Sequence, residues 1–344
     1  MLVSFIIPAY NAADTIVRCL ESIYGLSLER DEFEVIVIDD ASTDDTVSVI
    51  EKWRLENGDC RMDLLRQPEN HRQGAARNRG VLVAKGEYIC FVDADDAVME
   101  GIVIAIRMAK EKNADMVPYH LASADENGTI TREEVHLSFE KGHIFSGIEM
   151  QNKHPYWLSG PVAYVYNRAF LGRVNYPFVE GVLFEDSDFV VVHLYNAQRM
   201  TYSAELGYKA YYREGSTTHH TSYKNVADYL LLGVRMMRFY KTIVNSEKLI
   251  VNSEKQKFAE GILEGACWNV QKSCKRMVKL GSLDEVKAYY ERVDANVKRE
   301  DLCVDKQLRR YYWNAWTSLC IKHKRITMLV LAVLVPMYKL VKRK

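Results

Sequence analysis

Apolar residues follow two rhythms along the first hundred positions. Residues 3–8, 33–38 and 88–92 are short runs with few polar interruptions, the mark of strands buried on both faces. Between them, Ile16, Cys19, Leu20 and Ile23 recur at helical spacing, as do Val47, Ile50 and Trp53, and residues 74–85 read as a third helix. Ser42 to Asp45 has capping-box spacing ahead of the second of these helices. Buried strands that alternate with helices predict an α/β fold with a mostly parallel sheet covered on both sides. Residues 100–225 are richer in aromatic clusters, such as Tyr164 with Tyr166 and Tyr208 with Tyr211 and Tyr212. From about Val226 the pattern is helical, with no proline until Pro336. A tandem repeat there, residues 243–249 followed by 250–256, adds seven positions, about two helical turns, and so is expected to carry the apolar face onward. The pattern divides the chain into 1–225, with a first half to about residue 100, and a helical region 226–344.

Composition adds little until it is resolved by position. With 48% hydrophobic and 27% charged residues, the 344-residue chain has ordinary globular chemistry, which excludes collagen-like and disordered classes. Its 46 basic and 46 acidic residues cancel, but the last acidic residue is Asp305. Residues 1–305 carry 36 basic and 46 acidic side chains, while 306–344 carry ten basic and none acidic. A nucleic-acid binder would be expected to carry its basic excess on the folded body, so nucleic acid is not an expected partner.

The seven cysteines are scattered, odd in number and free of C-x-x-C spacing, which points to a reducing compartment and away from a disulfide framework. The N-terminus lacks a basic region ahead of its apolar run and reads as a buried strand, not a signal peptide. Near the other end, residues 326–338 are 13 uncharged positions flanked by Lys322, Lys324 and Arg325 and by Lys339, Lys342, Arg343 and Lys344. A helix of that length rises about 20 Å against a hydrocarbon core of about 30 Å, so an interfacial anchor is expected, not a span. A helix packed on the body, or a dimer contact, is the competing reading.

The chemistry gathers where the strands end. Three strands finish in Pro8-Ala9-Tyr10-Asn11, Asp39-Asp40 and Asp93-Ala94-Asp95-Asp96, and ligands of such sheets collect at the carboxyl ends of the strands. A lone D-x-D is ordinarily a solvated loop. Three Asp directly after a buried strand repel one another, and a hard divalent cation would relieve that. Asp39 and Asp40 can complement the next helix, or one can accept hydrogen bonds from a base or ribose. Gly74-Ala75-Ala76-Arg77-Asn78 opens a helix with small residues and a guanidinium, suited to a ribose, base or diphosphate edge; Arg72 and Arg79 suit a solvated face equally well. Glu185-Asp186 is either a general-base candidate or an acidic helix start. Arg213, beyond Tyr211-Tyr212, could close on phosphates, and His219 and His220 carry little weight.

Together these stretches resemble the inverting family 2 glycosyltransferases, which have the GT-A fold. The likeness rests on Ser4-Phe5-Ile6-Ile7-Pro8-Ala9-Tyr10-Asn11, Val37-Ile38-Asp39-Asp40-Ala41-Ser42-Thr43-Asp44, Gly74 to Asn78, Gly86 to Asp96 and Phe184-Glu185-Asp186, and covers roughly residues 1–225. It implies that Pro8, Tyr10, Asn11 and Asp40 line the nucleotide pocket, with Asp40 near a uracil edge. Asp93 would face ribose and metal, Asp95 would ligate Mn²⁺ or Mg²⁺, and Asp186, beside Glu185, would be the catalytic base. Arg77 and Arg213 would lie near the donor, and residues 155–171 would shape the acceptor site. The implied activity is metal-assisted transfer, with inversion, from a UDP-sugar to a saccharide or polyprenyl-linked acceptor in surface polysaccharide assembly. The implied place is the cytoplasmic face of the membrane.

Rival readings fare worse. A nicotinamide enzyme would want G-x-G-x-x-G after the first strand, where this chain has Pro-Ala-Tyr-Asn. A sugar-nucleotide pyrophosphorylase would want a Gly-rich, Arg-bearing loop there. A non-catalytic sugar-nucleotide-binding or membrane-associated module remains the alternative, to be told apart by turnover.

Overall fold

Seven consecutive buried residues, Val3–Ala9, form the strand β1 around which the first unit is built. In the computed structural model, β1 lies between β2 (Phe33–Asp39) and β4 (Tyr88–Phe91), parallel to both, and β3 (Met62–Arg66) runs parallel beyond β2. The structure describes residues 1–58, 60–133, 137, 139–140, 142–154, 160–212, 222–246, 253–280 and 282–297, with Cys320 and Thr327. Arg213, His219, His220, residues 155–159 and most of the basic tail lie outside the described residues. The chain divides into two compact units, Met1–Glu214 and Gly215–Lys344.

The six-stranded sheet has the order β3-β2-β1-β4-β9-β6. One member departs from the all-parallel pattern: β9 (Tyr164–Asn167) runs antiparallel to both β4 and β6 (Met116–Pro118), so β6 at the edge regains the direction of the parallel strands. Register aligns the functional ends, since Ile6 pairs with Phe91 and Ala9 with Asp39. The residues that follow these strands therefore leave the sheet at one edge.

Helices α1 (Ile16–Tyr24), α2 (Thr46–Glu56) and α3 (Arg72–Val83) connect the parallel strands. The predicted face of α1 is the buried one, Ile16, Cys19, Leu20 and Ile23. The predicted capping box at α2 does not form. Asp44 Oδ1 instead accepts from the Thr46 N–H at 3.0 Å, and its Oδ2 accepts from Ala13 N–H at 3.2 Å. At Gly80 of α3, a Cβ would sit 2.4 Å from Ile6 Cγ2, so a side chain there would lift the helix off β1.

A second, four-stranded sheet, β5-β10-β7-β8, is built from β5 (Ala97–Val98), β7 (His120–Ala124), β8 (Ile130–Glu133) and β10 (Leu206–Tyr211). Sequence analysis left this region unparsed; β5 is two residues long and β8 is exposed throughout. Helices α4 (Gly101–Lys112), α5 (Gly147–Lys153), α6 (Arg168–Val174) and α7 (Glu185–Asn196) complete the unit.

The second unit contains α8 (Tyr223–Ser246), α9 (Glu254–Arg276) and α10 (Leu283–Asn296). Ser273 Oγ donates to Val226 O at 2.6 Å, while Asn269 meets Met236 ten residues further along α8, so α8 and α9 are antiparallel. Arg292 of α10 pairs with the buried Asp228 of α8 at 2.6 Å. The repeat does not carry one helix onward as predicted. Ser253, in its second copy, caps α9 by accepting from Gln256 N–H at 3.1 Å, and a cap marks a new start.

Candidate active site

The carboxyl edge of the six-stranded sheet is stitched from turn to turn. After β1, Asn11 adopts a left-handed φ of 50°. Its N–H donates to Ser42 Oγ at 3.0 Å, and its Oδ1 accepts from Thr43 N–H at 2.8 Å, which ties the first turn to the second. Tyr10 beside it is 48% exposed, leaving an aromatic face available for stacking, whereas Pro8 is buried inside β1 opposite Ile38. After β2, Asp40 is buried, and its Oδ1 accepts from His71 N–H at 2.8 Å and Gln67 Nε2–H at 2.6 Å. Its Oδ2 is buried with no partner. Burial raises the Asp40 pKa, opposed by the His71 and Arg72 N–H groups and Gln67. An unpartnered buried acceptor is an unmet demand for a donor group.

Arg77 joins the rest. It lies on α3, is 2% exposed, and donates from Nη1 to Glu185 Oε1 at 2.7 Å and from Nη2 to Asp93 Oδ1 at 2.8 Å. Sequence analysis put Arg77 at the donor's edge. The structure engages both its terminal nitrogens on carboxylates, so it links the Asp93 turn to α7 instead of presenting a free charge. Glu185 is likewise reassigned. It is fully buried and ion-paired, a positioning group and not an exposed base, and burial pushes it up to about 7 against the pull of Arg77.

Asp186, next along α7, is half-buried and borders Gly160, where a Cβ would lie 3.4 Å from its Oδ2. Burial raises its pKa; Arg77 lowers it, and Asp93 and Asp188 raise it further. A carboxylate raised toward neutrality yet partly open is what a general base needs. The acidic start of α7 also serves the helix, with Glu185, Asp186 and Asp188 all in the first turn.

The Asp cluster after β4 divides by role. Asp93 and Asp95 are both partly exposed, but Asp96 is buried and faces β10. It accepts from Tyr208 Oη at 2.7 Å and Tyr211 N–H at 2.8 Å. Backbone strain concentrates on the same edge. Ala41, Arg72 and Phe184 have φ of 61°, 67° and 62°, conformations that cost about 1–3 kcal/mol each unless the surroundings impose them.

Residues 4–168 match the Glycosyl transferase family 2 profile. Those residues form a family 2 glycosyltransferase domain. The chain is 27% identical over 341 residues to the uncharacterized glycosyltransferase YibD of Escherichia coli, covering 94% of this chain and 96% of that one. It is 44% identical over 97 residues to the E. coli UDP-Glc:alpha-D-GlcNAc-diphosphoundecaprenol beta-1,3-glucosyltransferase WfaP, covering 28% and 36% of the two chains. Other relatives are matched only in part. The match spans 18% of a Bacillus spizizenii poly(ribitol-phosphate) beta-glucosyltransferase and 41% of Streptococcus pneumoniae GlyG. Staphylococcus aureus TarS, solved with UDP-GlcNAc, shares the fold at a TM-score of 0.61 and 22% identity, over 98% of this chain and 92% of that one. The GT-A-like α/β architecture with helical additions is therefore common to both.

Among the described residues, no group of three or more His, Cys, Asp or Glu is placed to hold a metal. The donor set at the turn is two carboxylates, Asp93 and Asp95, with one Asp93 oxygen already on Arg77. That set fits a hard cation of the Mg²⁺ or Mn²⁺ kind, which keeps waters and completes its shell with substrate phosphate oxygens. Asp96, turned to β10, is not part of it. Sequence reasoning missed Tyr208 and Gln67 as site residues, since neither belongs to a motif; the short aromatic spacing of Tyr208, Tyr211 and Tyr212 was the available signal.

Proposed function

We propose that this protein transfers a sugar from a nucleotide-diphosphate sugar, a UDP-sugar by preference, to a hydroxyl of a saccharide or polyprenyl-linked acceptor, with inversion and with Mn²⁺ or Mg²⁺ assisting. The single observation that carries the reading is the Arg77 bridge, which ties a D-x-D carboxylate to the helix bearing Asp186. A donor-binding carboxylate and a base are thereby held on one edge, as a displacement at the anomeric carbon requires.

In this reading Tyr10 stacks on the base, and the unpartnered Asp40 Oδ2 accepts from a base N–H. Asp93 and Asp95 would hold the cation, which would supply charge neutralisation for the leaving diphosphate, an effect worth several kcal/mol. Asp186 takes the proton of the acceptor hydroxyl as it attacks the face opposite the leaving group, which inverts the centre. General-base assistance of this kind is worth about 10²–10⁴ in rate. Relatives with names from poly(ribitol-phosphate) glycosylation and from diphosphoundecaprenol glycosylation support a role in surface polysaccharide or teichoic-acid assembly. The basic tail supports a peripheral position on the cytoplasmic face of the membrane.

The test is nucleotide release from a panel of sugar nucleotides, with and without Mn²⁺ and with lipid-linked acceptors. Release from one donor should require metal, vanish in Asp95→Ala and fall at least about a hundredfold in Asp186→Asn. Donor binding without turnover under all conditions would replace the enzyme with a sugar-nucleotide-binding module.

A further inference from the structure

The turn that carries Asp93 and Asp95 is gripped from the second sheet. Tyr208 of β10 is fully buried, and its hydroxyl lies between two groups of the turn. It accepts from the Asp93 N–H at 3.1 Å and donates to Asp96 Oδ2 at 2.7 Å. The other Asp96 oxygen accepts from Tyr211 N–H at 2.8 Å, so the carboxylate is fastened to β10 at two points. On the far side, Arg18 Nη2 donates to the Asp95 carbonyl, and its guanidinium stacks over the Tyr211 ring at 3.7 Å. The contacts close into a ring around the turn, running from Asp93 through Tyr208, Asp96, Tyr211 and Arg18 to Asp95. None of these contacts uses the Asp93 or Asp95 carboxylates; one Asp93 oxygen is held separately by Arg77.

We infer that Tyr208 is a positioning residue for the donor: its hydroxyl sets the geometry of the Asp93–Asp95 turn before cation and diphosphate arrive. The physical reason is preorganisation. Three neighbouring carboxylates in a short turn repel one another, and unrestrained they would separate toward solvent. Turning Asp96 onto Tyr208 removes one from the set, and the Asp93 N–H bond fixes the backbone that carries the other two. A turn fixed in advance loses less entropy when its ligands bind. The inference rests on the proposed donor and cation reading of this site.

The experiment compares wild type, Tyr208→Phe and Tyr88→Phe in the full chain. Tyr88 is also fully buried, and its hydroxyl donates to Ala109 O at 3.0 Å, away from the turn, so its removal controls for the loss of one buried hydrogen bond. Mn²⁺ affinity in the presence of UDP is read by electron paramagnetic resonance, UDP affinity by calorimetry with and without Mn²⁺, and stability by thermal unfolding. The expected result is a rise of about tenfold or more in the Mn²⁺ dissociation constant for Tyr208→Phe and less than twofold for Tyr88→Phe, with similar losses of stability. An unchanged Mn²⁺ constant in Tyr208→Phe, with metal-dependent UDP binding intact in wild type, overturns the inference alone. Equal weakening in both variants also overturns it, by making the effect one of stability. Absence of UDP binding in wild type, with or without Mn²⁺, removes the donor reading and the inference with it.

Discussion

Arg77 shows how much of this site depends on one buried charge. Its guanidinium is enclosed, and its positive charge is stabilised by Asp93, Glu185 and Asp186 against the penalty of burial. Removing one partner from such an arrangement leaves uncompensated charge, typically a loss of about 3–5 kcal/mol, whereas replacing both partners by apolar groups is often near neutral. Arg77→Met is therefore expected to lose stability on that scale in denaturant unfolding, and Arg77→Met with Glu185→Leu to recover part of it. Asp93 remains unpaired in the double variant, so recovery is incomplete. The pH profile should move as well. In its proposed role Asp186 acts as a base only when ionised, so kcat/KM is expected to rise with pH through its folded pKa. Burial places that limb above the ordinary aspartate value of about 4. Arg77 lowers the Asp186 pKa, so its loss in a variant that still folds moves the acid limb to higher pH. An acid limb that stays in place in a folded Arg77→Met variant would count against Asp186 as the group that titrates. In the sequence Arg77 was visible as the cation that directly follows Gly74, Ala75 and Ala76. Its partners lie 16 and 108 positions away, a separation no local pattern encodes.

Elements set the position of Asp186 by close packing of backbones. Gly147 opens α5, and a Cβ there would lie 2.0 Å from the Leu194 carbonyl of α7, an approach no side chain tolerates. The same helix, α7, carries Asp186 in its first turn. Gly147→Ala is expected to push α5 from α7, with a loss of about 1–3 kcal/mol from overpacking and a fall in kcat. Gly172, in α6, has nothing within 4 Å of the same added carbon. Gly172→Ala should stabilise by about 0.5–1 kcal/mol through helix propensity and leave kcat unchanged. Unfolding and turnover of the two variants decide the matter, and equal effects would refute packing as the cause. The elements differ in how plainly the sequence announces them. β1, β2 and β4 were legible because burial on both faces leaves an unbroken apolar run. β3 was missed because it is an edge strand reading Met62-Asp63-Leu64-Leu65-Arg66, buried only at Met62. The second sheet was missed because its strands are short, and because Tyr208 points into the core through an aromatic ring that also suits a surface cluster. The break at Ser253 was legible in principle, since Ser253-Glu254-Lys255-Gln256 is itself a capping sequence, but the seven-residue repeat favoured a continuous helix.

At the scale of the whole molecule, the sequence separates charge: an acidic body with 36 basic and 46 acidic residues, and a tail from 306 to 344 with ten basic and none acidic. Among the described residues, no helix is long and apolar enough to cross a membrane. Residues 326–338, wound as a helix, rise about 20 Å, short of a hydrocarbon core of about 30 Å. Their flanking cations suit the headgroup region on both sides, where each is worth about 1 kcal/mol near an anionic surface. The acidic body would be repelled by the same surface, so the tail has to supply the attraction alone. Two forces then contribute, and they separate by salt. Attraction between the tail and anionic lipid is screened over about 8 Å at physiological ionic strength and over about 3 Å at 1 M, whereas burial of the apolar stretch is not screened. The full chain should sediment with vesicles containing anionic lipid, lose part of that binding at 1 M salt, and bind neutral vesicles at least tenfold more weakly. A chain ending at Lys322 keeps only four of the ten cations and none of the apolar stretch, and should stay in the supernatant throughout. Equal sedimentation of the shortened chain would locate the membrane contact in the body, and binding of the full chain that ignores both salt and lipid charge would make apolar insertion the whole of the anchor.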